Sequence, residues 1–300
     1  MKVEVFSNQC IKGPYFKLVV NTFQNLTSIP GQFLMLRPLE SASSGIFLPR
    51  PFSIHSVSED NHIEILYKVV GKGTEFMSRL SEGDEIELLG PFGNGFPIDE
   101  NIIPDEFIIA AGGIGVAPLL GLTELIRSTC PEIPVKVFLG GRGSMDLLCV
   151  EELEKNGAEV VVATQDGSAG MNGYVTDALD EYLRRINPDK KLTLYSCGPN
   201  PMLRRIYDMV SSFNIKTFFS LEANMACGMG LCMGCAVKKR GTGYYLVCKD
   251  GPVFNGDRIE LEPEFSSEPS CRPELVSGSQ TTPGKEVLKQ VQNDTDGSSG

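Results

Sequence analysis

The chain has 300 residues, enough for two domains of ordinary size plus additions, and its 41% hydrophobic content supplies sizeable cores, which excludes a wholly disordered protein. Its 27 basic residues against 38 acidic ones leave a formal net charge of −11, which argues against nucleic acid or an anionic membrane as the main partner, because both need a positive surface. No apolar run approaches the ~20 residues that span a bilayer, and the amino terminus alternates like a strand without a signal peptide's apolar stretch, so a cytoplasmic location is expected.

Residues 1 to about 101 read as a small antiparallel β-barrel. Short runs rich in β-branched and aromatic residues predict strands at Val3–Phe6, Phe16–Thr22, Phe33–Arg37, Phe52–Val57, Ile63–Val69 and Glu85–Leu89, with Gly, Pro, Asn and Asp between them. One helix interrupts, with Thr74 as its expected N-cap and Gly83 after it. From 102 to 216 the pattern becomes strand–helix alternation, which implies a doubly wound parallel sheet. Strands are predicted at Phe107–Ala111, Val135–Leu139, Val160–Ala163 and Leu192–Tyr195. Helices are predicted at Val116–Arg127, Leu147–Lys155 and Thr176–Arg185, and a last one is capped by Asn200 with Pro201 at its first position. Its apolar face would be Met202, Ile206, Val210 and Phe213. A Gly- and Cys-rich segment occupies 217–262, and the Ser/Pro/Glu/Gln-rich stretch 263–300 is expected to be a disordered tail.

The strongest chemical signal is cysteine spacing. Nine cysteines are an odd number, and four of them stand as Cys227-x4-Cys232-x2-Cys235-x12-Cys248. C-x4-C-x2-C with a distant fourth cysteine is the plant-type [2Fe–2S] spacing. Gly228, Gly230 and Gly234 would let the backbone approach and donate N–H bonds to the sulfurs. A structural zinc site is the alternative, although zinc knuckles usually pair two cysteines on each side. The turn Gly112-Gly113-Ile114-Gly115-Val116-Ala117-Pro118 joins a buried strand to a helix and suits a pyrophosphate, or is simply a tight turn. Cys197-Gly198-Pro199-Asn200-Pro201-Met202 closes a later strand at the end where α/β sheets place ligands, and reads equally as a capped helix start. Arg50-Pro51-Phe52-Ser53 offers a planar cation, a ring and a hydroxyl on a barrel strand, and Gly71-Lys72-Gly73-Thr74 opens a short helix. Taken alone, a surface arginine beside a core phenylalanine explains the first of these. The two histidines, His55 and His62, sit in strand patterns and read as structural.

In this order, RPFS, GKGT, GGIGVAP and CGPNPM resemble the ferredoxin-reductase-like flavoprotein family. The block SLEANMACGMGLCMGCAV…CKDGPVF is similar to that of the electron-transfer subunits of class 1B dihydroorotate dehydrogenases, and the resemblance covers about residues 1–260. It implies FAD held by Arg50, Pro51, Phe52 and Ser53, with Tyr67, Lys68 and Val69 along the flavin and Gly73 and Thr74 at the pyrophosphate. It implies NAD(H) bracketed by Gly113, Gly115, Pro118, Cys197, Gly198 and Met202, and a [2Fe–2S] cluster on Cys227, Cys232, Cys235 and Cys248. Phe52 stands where many such reductases carry tyrosine, and relatives that replace one cluster cysteine by aspartate differ from this chain, which has all four. The implied partner is an FMN-containing catalytic subunit, two of each forming a heterotetramer, in pyrimidine biosynthesis. A nicotinamide gives two electrons together and a cluster accepts one, so the flavin between them would split the pair. The redox cofactors would carry the chemistry and no acid–base dyad is expected, Cys197 near the nicotinamide being the one catalytic candidate. Two other readings stay open: the reductase subunit of another NAD(P)H complex, of the ferredoxin:NADP oxidoreductase or sulfide dehydrogenase type, for which Arg142 could serve a 2′-phosphate, and a non-enzymatic zinc scaffold.

Overall fold

Alternating apolar residues build the first sheet. The computed structural model describes residues 1–22, 26–38, 48–58, 60–99, 103–213 and 215–261; the tail expected at 263–300 lies outside them. The first strand, β1 (Lys2–Lys12), buries Val3 and Val5 and turns Lys2, Glu4 and Phe6 outward. It is followed by β2 (Tyr15–Asn21), β3 (Phe33–Pro38), β4 (Arg50–Ser53), β5 (Ser56–Val57), β6 (His62–Lys68), the short helix α1 (Lys72–Met77) and β7 (Glu85–Phe92). The strands pair antiparallel in the order β4-β3-β7-β1-β2-β6-β5. The two outermost strands of that order are joined by Ile54 and His55 alone. The Ile54 N–H donates to the Gln32 carbonyl at 3.0 Å and the His55 N–H to the Glu64 carbonyl at 2.9 Å, so the sheet curls round on itself. This change of partner splits the single strand expected at Phe52–Val57 into two. Leu34, Leu36, Ile63, Ile65, Tyr67 and Leu88 fill the interior.

The helix expected to start after Thr74 begins at Lys72 instead, with Gly71 as N-cap. Thr74 acts from inside the first turn, its Oγ1 accepting the Val70 N–H at 2.9 Å and the Gly71 N–H at 3.2 Å.

The second sheet uses β8 (Glu106–Gly112), β9 (Val135–Gly141), β10 (Glu159–Thr164), β11 (Met171–Asn172), β12 (Leu192–Cys197) and β13 (Ile215–Ser220). Its helices are α2 (Ala117–Thr129), α3 (Val150–Lys155), α4 (Val175–Arg185) and α5 (Asn200–Val210). A hairpin of β14 (Ala236–Lys238) and β15 (Tyr244–Leu246) and a turn of helix, α6 (Val247–Asp250), lead to β16 (Val253–Asn255). The sheet runs β11-β10-β9-β8-β12-β13-β16, all parallel except β16. One face packs on Leu119, Leu122 and Ile126 of α2 and Leu153 of α3. The other packs on Leu179 and Leu183 of α4 and Leu203 and Ile206 of α5, so the sheet is doubly wound. Every residue of β8 is buried, including Glu106, whose Oε2 accepts from the Tyr182 hydroxyl at 2.6 Å and the Lys190 amine at 2.8 Å. Among the described residues no helix is long and apolar enough to cross a membrane.

Several expected boundaries shift. α3 starts at Val150, because Cys149 before it takes a left-handed backbone (φ 59°) that interrupts helical winding. α5 is capped by Pro199 rather than Asn200. Leu203, not Met202, is its fully buried first-turn residue, because Met202 lies instead over the glycine turns described below. The expected division between 216 and 217 falls inside β13, and both β13 and β16 belong to the parallel sheet.

Candidate functional site

The strand order reverses between β8 and β12, and the carboxyl ends of strands at such a reversal form a crevice. A cleft of about 370 Å³ opens there against the barrel, within the usual size of small-molecule sites. The barrel contributes Arg50, Pro51, Phe52 and Ser53 from β4, Tyr67 and Lys68 from β6, and Thr74 from α1. The parallel sheet contributes Gly115 and Pro118 at the start of α2 and Cys197 at the end of β12. Ten of the residues singled out from sequence therefore meet on one cavity. Val69 is not among them. It packs on the barrel core, and its neighbour Val70 lines the cleft instead.

The glycines are where they are because backbone passes close to backbone. A side chain at Gly115 would run into the Cys197 carbonyl, with the Gly198 Cα only 2.8 Å away. Gly198 (φ 157°) would meet the Gly112 nitrogen at 2.9 Å. The two turns thus interlock, and the Met202 thioether lies across both, 2.8 Å from a Cβ built on Gly112 and 2.7 Å from one built on Gly198. Gly198 and Met202 are thus taken up by this packing, and neither they nor Gly113 line the cleft. On the barrel side, a Cβ at Gly73 would collide with the Arg50 guanidinium, which crosses that position. Phe52 and Tyr67 meet edge to face at 6.0 Å. Cys197 is buried, and that burial, with the charge of Glu222 behind it, pushes its thiol up to about 12. Arg142 is largely exposed, with its Nε 3.4 Å from Asp146 Oδ2.

Sequence reasoning passes over one wall. Ser220, Leu221, Glu222, Ala223 and Met225 line the cleft, with Pro252 beside them. The available signal was Thr217–Ser220, which reads as another strand; its carboxyl end would have fallen on the same crevice.

That wall runs directly into the cysteine loop, since Cys227 follows Met225 by two residues. The Cys227 Sγ accepts the Leu231 N–H at 3.3 Å and the Cys232 N–H at 3.4 Å. The Cys248 Sγ accepts the Gly230 N–H at 3.1 Å, and the Cys235 Sγ the Cys248 N–H at 3.4 Å. The Cys235 and Cys248 sulfurs are 3.2 Å apart, far beyond a disulfide bond. Backbone N–H groups of Cys232 and Met229 pull the Cys227 thiol down to about 6, while burial beside Cys235 pushes Cys248 up to about 12. Cys232 is exposed and Cys235 and Cys248 are buried, so the set reaches from interior to surface. Among the described residues no three His, Cys, Asp or Glu side chains converge as a single-ion site. Sulfurs that accept backbone N–H bonds fit a thiolate-ligated cluster. Gly228 (φ 69°) and Gly230 (φ 84°) make the loop's turns, and a Cβ on Gly228 would stand 2.6 Å from Met35 Cγ of β3. Gly234, expected to do the same, has no close contact beyond the Cys232 sulfur at 3.6 Å.

Comparison with known proteins agrees with this geometry. Residues 222–260 match the family described as iron-sulfur cluster binding domain of dihydroorotate dehydrogenase B, and residues 109–208 match the oxidoreductase NAD-binding domain. The dihydroorotate dehydrogenase B (NAD(+)) electron transfer subunit of Caldanaerobacter subterraneus subsp. tengcongensis is 37% identical over 262 residues, covering 86% of this chain and 98% of that one. Its counterpart from Listeria monocytogenes serovar 1/2a is 39% identical over 236 residues, covering 77% and 87%. Among solved structures, an NADH-dependent reduced ferredoxin-NADP oxidoreductase superposes with a TM-score of 0.74 at 27% identity, covering 86% of this chain and 90% of that one. A ferredoxin NADP+ reductase from Neisseria gonorrhoeae shares the fold at a TM-score of 0.59 and 15% identity, covering 74% and 98%. This chain belongs to the family of dihydroorotate dehydrogenase B (NAD(+)) electron transfer subunits.

Proposed function

We propose that this protein carries electrons between NAD(H) and the catalytic subunit of dihydroorotate dehydrogenase, in pyrimidine biosynthesis, using FAD in the cleft and a [2Fe–2S] cluster on Cys227, Cys232, Cys235 and Cys248. The observation that carries the proposal is continuity: Ser220–Met225 forms one wall of the cleft and runs straight into the cysteine loop. A group bound in the cleft and one bound by the cysteines would be separated by a few residues of one chain. When bound, the flavin exchanges a hydride for single electrons, and the cluster takes those one at a time.

The chain's own residues bind and orient. Phe52 would offer ring surface, with the buried Tyr67 ring supporting it edge-on, and Ser53 a hydroxyl, while Arg50 and Thr74 would meet the pyrophosphate. The interlocked turns hold Gly115 and Pro118 at the cleft, where the start of α2 would receive the nicotinamide nucleotide. Cys197 stays protonated and uncharged beside it. The division of labour follows the architecture: barrel for FAD, parallel sheet for NAD(H), cysteine loop for the cluster. The loop exposes Met229, Leu231 and Met233, an apolar face that suits a catalytic subunit with its own FMN, two of each chain forming a cytoplasmic heterotetramer.

The test uses the full chain purified anaerobically. It should hold FAD, iron and acid-labile sulfide, be reduced by NADH, and leave dihydroorotate untouched until the catalytic subunit is added. Cys232→Ser should abolish cluster absorption while NADH still reduces the flavin. Zinc without iron, or turnover of dihydroorotate by the isolated chain, would refute the proposal, and a preference for NADPH would move it to the ferredoxin:NADP oxidoreductase type.

A further inference from the structure

Lys68 lines the cleft, yet its amine turns away from the cavity. The Nζ lies 2.8 Å from the Tyr15 hydroxyl oxygen and 3.2 Å from Asp146 Oδ1, and sits over the Tyr15 ring 4.7 Å from its centroid. The Tyr15 hydroxyl donates to the same Asp146 oxygen. The other carboxylate oxygen accepts the Arg142 N–H at 3.0 Å. Tyr15 and Lys68 belong to barrel strands β2 and β6, whereas Asp146 ends the 3-10 turn Ser144–Asp146 that follows β9 of the parallel sheet. Around this triad the β1–β2 hairpin grips the same turn. The Lys12 amine donates to the Ser144 carbonyl at 2.5 Å, and Gly13 (φ 53°) leaves room for Met145, whose methyl would be 2.9 Å from a Cβ there.

The triad also reaches the nucleotide turns. The Tyr15 hydroxyl is the nearest atom to a Cβ built on Gly113, at 3.9 Å, and Asp146 packs against Gly141 at the end of β9. The turns after β8 and β9 are therefore both referenced to the barrel through these side chains. Tyr15 is fully buried, and the Lys68 and Asp146 side chains are only 19% and 14% exposed. For adhesion alone an apolar contact would serve as well, because an enclosed ion pair gives up much hydration. What a carboxylate with four donors, the fourth being the Arg142 Nε at 3.4 Å, adds is direction. Interfaces within a chain otherwise leave their two halves free to shift.

We propose that Tyr15, Lys68 and Asp146 form a latch that fixes the spacing between the barrel wall and the sheet wall of the cleft, and so act as positioning residues for hydride transfer. This rests on the reading of the cleft as the meeting place of flavin and nicotinamide. Hydride transfer needs reacting atoms about 3–3.5 Å apart, and an error of 1 Å can lower the rate ~100-fold.

The test is stopped-flow reduction of the FAD- and cluster-loaded full chain by NADH, in Asp146→Asn, Tyr15→Phe and the double variant. Each single variant should keep its FAD and bind NADH within about threefold of the unmodified chain, yet lose on the order of tenfold or more in the limiting rate of flavin reduction. The double variant should be no slower than the slower single one, because the groups act as a unit. Unchanged limiting rates, multiplying losses, or losses that track FAD content would overturn the latch. Amide hydrogen exchange separates this from the reading beneath it: in Asp146→Asn, exchange at 12–15 and 141–147 should rise together while both sheet cores stay protected. Should NADH fail to reduce the unmodified chain, the reading falls, and unaltered exchange would still refute the latch by itself.

Discussion

Asp146 shows how one residue answers to several elements. Burial would raise its pKa, but the Tyr15 hydroxyl, the Arg142 N–H and the Lys68 amine together hold it at about 2. The folded carboxylate is thus harder to protonate than the unfolded one near 3.9. Its contribution to stability is full above that unfolded value and is lost as the pH falls through about 2. It amounts to about 2 kcal/mol at neutral pH and roughly half of that at pH 3. Urea titrations of the unmodified chain and Asp146→Asn should therefore differ by about 2 kcal/mol at pH 7, and the gap should narrow as the pH is lowered from 5 to 3. A gap that does not change with pH would mean that the carboxylate is held by shape and not by charge.

At the scale of elements, the cysteine loop is shaped by what it lies on. Gly228 needs both a left-handed backbone and a missing Cβ, because Met35 of β3 stands directly beneath it. Gly228→Ala should destabilise the chain by roughly 1–3 kcal/mol and lower the iron and acid-labile sulfide bound per chain. Gly234→Ala should change neither, since its φ is ordinary and its surroundings are open; equal effects in the two would show that the barrel contact is irrelevant to the loop. The spacing of the cysteines is legible in sequence, because ligands to one cluster must recur at short, fixed intervals. Which glycine matters is not legible, because the obstructing methionine is far away along the chain.

At the scale of the molecule, the cleft wall continues into the cysteine loop, and the loop's outer surface is apolar. Leu231 is 77% exposed beside Cys232, on the face proposed for the catalytic subunit, and it does not line the cleft. Leu231→Glu should weaken that association at least tenfold by sedimentation while NADH reduces the flavin at the ordinary rate. Unchanged association would move the docking face elsewhere.

The barrel strands, the strand–helix alternation up to β12, the two glycine turns and the short spacing of the four cysteines were readable from sequence alone. Each is a local demand, in which strand period, close backbone approach or ligand spacing is met by residues near one another in the chain. The wall at Ser220–Met225, the place of β13 and β16 in the parallel sheet, and the turn of Met202 toward the glycines were not. Nor was the latch, whose Tyr15 and Asp146 lie 131 positions apart and whose Lys68 and Asp146 lie 78 apart. Contacts at such separation leave no periodicity to read, and they exist only because the barrel and the sheet, each closing on its own core, present these side chains to one another.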